Sequence, residues 1–152
     1  MSLIIATGSN IGDSLQILIE AREKLSEHFV FIAQSRIYTS PAVEYLDQPD
    51  FFNQVLEFEK PDLDPILVMA KLLIIEQEFG RNRDIPKGPR TLDLDIIFWD
   101  LDKISNDSLI VPHPRWMERS FVVKPLQELP FFQRIEKCFT IPRSFHADAF
   151  PI

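Results

Sequence analysis

The sequence predicts an α+β fold: a ferredoxin-like βαββαβ antiparallel sheet with both helices on one face, followed by a C-terminal extension. Three observations predict it. Two stretches carry apolar residues at helical spacing, each opened by an Asp placed to cap it. Four other stretches have the alternation or the β-branched and aromatic content of strands. Their order along the chain is strand, helix, strand, strand, helix, strand. With both helices on one face, the opposite face of the sheet is left open for a ligand.

The first strand is expected over Leu3 to Thr7, followed by the turn Gly8-Ser9-Asn10-Ile11-Gly12-Asp13. Asp13 caps a helix that runs to about Glu27, with Leu15, Leu18, Ile19 and Leu25 as its apolar face. The turn has neither a G-x-x-x-x-G-K-[ST] nor a G-x-G-x-x-G pattern, so it reads as a plain structural turn. Val30 to Tyr38 is the second strand. The 12-residue connection Thr39 to Asp50 is long for a hairpin and therefore a candidate binding loop. In the third strand, Phe51 to Glu59, Phe51, Asn53 and Val55 share one face. A Phe and an Asn two positions apart suit a flat heterocycle, the ring by stacking and the amide by reading donor and acceptor edges. An interior Asn satisfied by backbone explains the same residue.

Asp64-Pro65 opens the second helix as N-cap and first turn, Val68, Leu72, Ile75 and Phe79 form its buried stripe, and Gly80 closes it. Residues 81 to 90 carry Arg81, Arg83, Lys87 and Arg90 against a single Asp, a local excess of positive charge in a chain of net charge −7. A basic loop bearing Pro and Gly reads as a lid over a polyphosphate.

The fourth strand runs from Leu92 to Trp99. Leu92, Leu94, Ile96 and Phe98 are expected on one face, and Asp93, Asp95, Ile97 and Trp99 on the other. Two carboxylates at i and i+2 stand roughly 7 Å apart and repel, and Asp is depleted in strands. A divalent cation removes the repulsion, and carboxylates with open water positions suit magnesium. A solvated edge strand, with the Asp pair serving only solubility, explains the same pattern. Beyond Asp100, His113 lies between two prolines, with Arg119 and Phe121 close in sequence, and a helix bent near Pro125 is expected from Met117 to Leu129.

The 152 residues suit one domain, with a core over 2–100 and an extension over 101–152. The acidic balance, with a pI near 4.9, argues against a nucleic-acid or anionic-membrane surface. The single cysteine, Cys138, excludes an intrachain disulfide framework and a cysteine-rich zinc site. Met1 leads into Leu3-Ile4-Ile5-Ala6 without a basic n-region, and the apolar stretch Ile66 to Ile75 is too short to span a bilayer. A cytoplasmic monomer is expected.

Gly88-Pro89-Arg90-Thr91-Leu92-Asp93-Leu94-Asp95-Ile96-Ile97 resembles the signature of the 6-hydroxymethyl-7,8-dihydropterin pyrophosphokinases of folate biosynthesis. Gly8-Ser9-Asn10, Asp47 through Asn53, Phe79 through Arg83, and Val111 through Val122 resemble the same family in the same order. The resemblance implies that the hydroxymethyl oxygen of the dihydropterin attacks the β-phosphorus of ATP and that AMP leaves. It implies that Asp93 and Asp95 hold two Mg²⁺, and that Asn53 reads the pterin edge between the rings of Phe51 and Phe121. Ser40, Pro41 and Val43 would line the same pocket. Arg81, Arg83 and Arg90 would serve catalysis from the phosphate side along with Asp95. Lys87, Ile96, His113 and Arg119 would complete the nucleotide contacts. The general base is left open between Asp95 and water.

The chain departs from its relatives in places. Lys87 stands where many carry Trp, Phe51 replaces a frequent Tyr, and Ser108 and Ile110 stand where some have polar nucleotide contacts. Paired Asp also serve magnesium-dependent kinases that pass a single phosphate and nucleotidyltransferases. A non-catalytic ligand-binding module on the same fold is a third class.

Overall fold

A computed structural model describes residues 1–42, 47–80 and 91–152. The fold is a mixed α+β arrangement around an antiparallel sheet. The chain runs β1 (Ser2–Ser9), α1 (Ser14–Ser26), β2 (Phe31–Gln34), β3 (Tyr38–Ser40), β4 (Phe51–Glu59), α2 (Pro65–Glu78) and β5 (Asp93–Trp99). It continues through a small hairpin, β6 (Ile104–Ser105) and β7 (Ile110–Val111), a 3₁₀ turn (Trp116–Glu118), α3 (Ser120–Leu126), α4 (Phe132–Ile135) and β8 (Phe150–Pro151). The main sheet has the order β5-β1-β4-β3-β8, with β2 also on β4. The expected second strand is thus two pieces, interrupted where the Ser35 side chain accepts the Val55 N–H and the Ser35 carbonyl accepts the Gln54 amide.

Both helices start as expected. Asp13 Oδ1 accepts the Gln16 N–H at 3.3 Å, and Asp64 Oδ1 accepts the Ile66 N–H at 2.8 Å. The face that α1 buries is Ser14, Leu18, Ala21 and Leu25. Leu15 and Ile19, expected inside, are exposed, because the row that packs on the sheet is 14/18/21/25. In α2 the stripe Val68, Leu72 and Ile75 is buried as read, and Gly80 ends it at a φ of +80°.

Two cores result. One lies between the sheet and α1/α2 and contains Leu3, Ile5, Leu56, Phe58, Leu92, Leu94 and Ile96. The other lies on the opposite face, where Ile4, Val55, Ile97 and Phe98 pack against Trp116, Val122, Leu126 and Ile135 of the extension. The face expected to be open is therefore covered along much of its length. The alternation of β5 is also reset. Ile4 pairs with Phe98 but Ile5 pairs with Ile96, a bulge that leaves Ile97 over. Beyond it Phe98 turns to the extension side and Trp99 to the helix side, the reverse of strict alternation. The helix expected from Met117 to Leu129 is divided: a 3₁₀ turn, then α3 with Pro125 in its last turn.

Buried carboxylates fasten the extension to the sheet. Glu57 Oε2 accepts the Ser2 hydroxyl at 2.8 Å, and its Oε1 accepts the Phe131 N–H at 3.0 Å. Asp100 accepts the Ser2 N–H and a two-point contact from Arg134. Burial alone would push the Asp100 carboxyl up, but the Arg134 guanidinium and the Ser2 and Leu101 N–H groups outweigh it and hold it below the usual carboxylate range. A depressed folded-state pKa means that the stabilisation is complete above about pH 4 and is lost as pH falls through the folded value. The urea midpoint of the wild type should therefore drop more steeply below about pH 4 than that of Asp100→Asn. A wild-type acid limb parallel to the variant's would remove Asp100 from this role.

Candidate active site

The sheet register places Asn53, Asp93 and Asp95 on one face. Gly8 in β1 pairs with Asn53 on one side and Asp93 on the other. Ala6, two residues earlier, pairs with Val55 and Asp95. Two strand spacings separate Asn53 from Asp93, about 10 Å, the scale of a small bicyclic substrate. The small residues at 6 and 8 keep the floor between them low. A Cβ on Gly8 would stand 3.1 Å from Asn53 Oδ1 and 3.8 Å from the Phe51 ring. Gly8→Ala should thus press on the Asn53 amide and, on the expectation that Asn53 reads a flat heterocycle, raise the KM for that ligand several-fold with the KM for a nucleotide unchanged. Steady-state kinetics with each substrate varied in turn checks this.

Asn53 is buried, and its Nδ2 donates to the Ser40 hydroxyl at 2.8 Å. A side chain of the neighbouring strand thus holds the amide. Ser40 pairs with Phe51, and Tyr38 with Asn53, so Ser40, Phe51 and Asn53 form one group. Pro41 follows at the surface. The Asn10 amide, from the first turn, donates to Gln48 Oε1 at 2.9 Å and to the Pro49 carbonyl at 3.0 Å. That turn works as a tether for the segment leading into Phe51. Phe121 sits in the first turn of α3, which packs on β3 and β4, and the Arg119 guanidinium lies over its ring at 5.7 Å.

The carboxylate pair borders a second feature. A cleft of about 410 Å³ runs along the outer edge of β5, between α2 and the β6–β7 hairpin. Asp93, Asp95, Ile96 and His113 line it, with Leu72 and Leu109 as apolar wall. Its size and mixed lining are those of a site for a small organic ligand. The His113 N–H donates to the Ile97 carbonyl at 3.0 Å, which seats this residue on the strand edge. His113 Nδ1 accepts the Arg115 N–H at 3.2 Å, an arrangement that puts the neutral ring's proton on Nε2. Glu76, buried in α2, accepts the Leu94 N–H at 2.7 Å. This closes the edge of the strand between the two aspartates. Both aspartates are half-buried. Their oxygen donors, with room for a ligand's own oxygens, fit a hard cation of the magnesium type. Among the described residues no third His, Cys, Asp or Glu joins them in a cluster.

The structure thus brings Asp93, Asp95, Ile96 and His113 to one cleft at the edge of β5, and Ser40, Phe51 and Asn53 to a group on the sheet face shared by Asp93 and Asp95, with Ile96 on the helix side. Arg119 stands with Phe121 rather than in the cleft lining. Val43, Arg81, Arg83, Lys87 and Arg90, and with them the expected lid, lie outside the described residues. Sequence reasoning missed Glu76, Asn10 as a tether and Gly8 as a floor. Gly8 and Asn10 both stood in the Gly8-Ser9-Asn10 motif, and a glycine at the end of a strand pattern marks close approach.

The flat-ring group and the carboxylate-edged cleft thus stand side by side on one antiparallel sheet. The sequence profile of the 7,8-dihydro-6-hydroxymethylpterin-pyrophosphokinases matches residues 4–130. The chain belongs to that family. Among curated relatives, the 2-amino-4-hydroxy-6-hydroxymethyldihydropteridine pyrophosphokinase of Bacillus subtilis is 42% identical over 135 residues, 88% of this chain and 79% of that protein. The enzyme of the same name from Aquifex aeolicus is 35% identical over 128 residues, 84% of this chain and 79% of that protein. A Pneumocystis carinii folic acid synthesis protein is 40% identical over 129 residues, 84% of this chain but 17% of its own length. The chain thus spans most of the first two relatives and a small part of the third.

Proposed function

We propose that this chain transfers pyrophosphate from ATP to 6-hydroxymethyl-7,8-dihydropterin, giving AMP and the pterin diphosphate in folate biosynthesis. The single observation that carries this reading is the register that puts Asn53 and Asp93 on either side of Gly8, on one face of the sheet. The pterin ring lies along Phe51 and Phe121 with its amide edge on Asn53, and its pocket includes Ser40, Pro41 and Val43. The nucleotide occupies the cleft beside Ile96 and His113. Its phosphates reach toward Arg81, Arg83, Lys87 and Arg90, and Arg119 joins His113 in contacting the nucleotide. The hydroxymethyl oxygen forms a bond to the β-phosphorus. The bond from that phosphorus to the oxygen bridging it to the α-phosphorus breaks, AMP departs with the bridging oxygen, and the hydroxyl proton passes to Asp95 or to water.

Asp93 and Asp95 are the residues that would hold Mg²⁺, two ions by the family resemblance. The cation would supply charge neutralisation for the phosphates. The chain's own part is positioning. The sheet holds both substrates at fixed spacing. We read the core as ferredoxin-like, supported by the β5-β1-β4-β3 order and by both helices on one face. We read residues 1–152 as one domain, acting as a cytoplasmic monomer without nucleic-acid or membrane partners. Among the described residues, no helix is long and apolar enough to cross a membrane.

Product identity tests the reading. With Mg²⁺, ATP and the dihydropterin, AMP should form in step with a diphosphorylated pterin. ADP would replace the reading with single-phosphate transfer, free pyrophosphate would replace it with nucleotidyl transfer, and binding without turnover would leave only a ligand-binding module.

A further inference from the structure

The last residues of the chain lie beyond the 4–130 span of the family match, yet they contact the two elements that carry Phe121 and Ser40. Ser120, 1% exposed, directly precedes Phe121. Its hydroxyl accepts the Ala149 N–H at 2.9 Å and donates to Asp148 Oδ1 at 3.3 Å. One turn further, Lys124 Nζ donates to the Ala149 carbonyl at 2.9 Å, pairs with Asp148 at 3.2 Å and lies 4.9 Å over the Phe150 ring. Ala149 is fully buried. The chain then pairs with β3, Phe150 against Thr39 and Pro151 against Tyr38, and the Ile152 N–H donates to the Ile37 carbonyl at 3.0 Å. Thr39 is the neighbour of Ser40, whose hydroxyl holds Asn53.

Just beyond the other end of α3, Glu128 grips the same stretch. It accepts the Arg36 N–H at 2.9 Å, the Arg36 guanidinium and the Tyr38 hydroxyl. Burial, and then the hydrogen bond to Glu128, push the Tyr38 phenol up to about 12. The phenol therefore stays a donor to the carboxylate at any physiological pH. The segment that carries Phe121 is thus fastened to the strand of Ser40 at both ends, once by a side chain of the extension and once by the tail.

We propose that residues 148–152 are a strap that positions Phe121 and Ser40 for the pterin ring, with Ser120 and Lys124 as the positioning residues that hold it. This rests on the pterin-pocket reading given above. The strap sets where α3 begins relative to β3, and so sets the pocket's width. Among the described residues, its hydrogen bonds and strand pairs reach none that line the cleft, so its loss acts on the ring pocket.

The test is a pair of full-length variants, Ser120→Ala and Lys124→Met, assayed with Mg²⁺, ATP and the dihydropterin. Losing one of these contacts should raise the pterin KM about tenfold. The kcat and the affinity for a non-hydrolysable ATP analogue should stay within about twofold, and Lys124→Arg should restore the wild-type value. Lys124 is partly exposed, so its variant serves if Ser120→Ala does not fold. Equal loss of affinity for both substrates, or a lowered melting temperature with the pterin KM unchanged, overturns the proposal. Phe121→Ala separates the two layers. If it weakens pterin binding and the strap variants do not, the strap alone is wrong. If Phe121→Ala also leaves pterin binding unchanged, the pocket reading fails and the strap with it.

Discussion

Replacing Asp95 with alanine is expected to lower kcat by at least about 10³, on the order of 4 kcal/mol of transition-state stabilisation, with the fold retained. Asp95 is half-buried at the cleft, on a strand whose neighbours Leu94 and Ile96 carry the packing. Its removal therefore takes away a charge without opening a cavity in either core. The far-ultraviolet circular dichroism and melting temperature should match the wild type. The Mg²⁺ concentration giving half-maximal binding of an ATP analogue should rise. Wild-type turnover in this variant would remove Asp95 from the metal and catalytic assignment. Asp95→Asn sharpens the reading, because it keeps the volume and one oxygen but removes the charge. A loss close to that of alanine places the effect in charge rather than shape.

Phe98→Ala is expected to cost about 3–5 kcal/mol of stability. The ring is fully buried and meets Trp116 at 5.1 Å, Phe131 at 5.7 Å and Phe139 at 6.1 Å between centroids. It is the sheet's anchor for the extension, and removing it leaves three rings facing a void that they cannot all close. With a urea m-value of about 1–3 kcal/mol/M, the midpoint should fall by about 2 M. Ile74→Ala provides the contrast. Ile74 is 55% exposed on α2, and its loss should change stability by no more than about 0.5 kcal/mol. A small cost at Phe98 would mean that the extension is held by its polar contacts to Glu57 and Asp100 instead.

The bulge at Ile97 shows where pattern reading stops. Strict alternation put Phe98 with Leu94 and Ile96, since a strand read in isolation has period two. The extra residue arises from pairing with β1, between Ile4 and Ile5, and a register shift between two strands leaves no mark in either one alone. Leu15 and Ile19 teach the same lesson for a helix. Several apolar residues define a broad stripe, and only the sheet beneath selects which edge of it is buried.

The sequence by itself determined the order of the core elements, both helix starts, the buried stripe of α2 and the common face of Asp93 and Asp95. These depend on local physics: Asp13 and Asp64 cap whatever follows them, and residues two apart on a strand point the same way. The signature around Asp93 carried the family. Tertiary structure alone decided the rest. Gly8 lies between Asn53 and Asp93, Glu76 reaches the Leu94 N–H, and Ala149 lodges against Ser120. The first joins residues 45 and 85 positions apart, and the last two span 18 and 29. No periodicity within one segment reports such pairs. They form because unpaired backbone donors and buried carboxylates must find partners once the sheet and its two cores have closed.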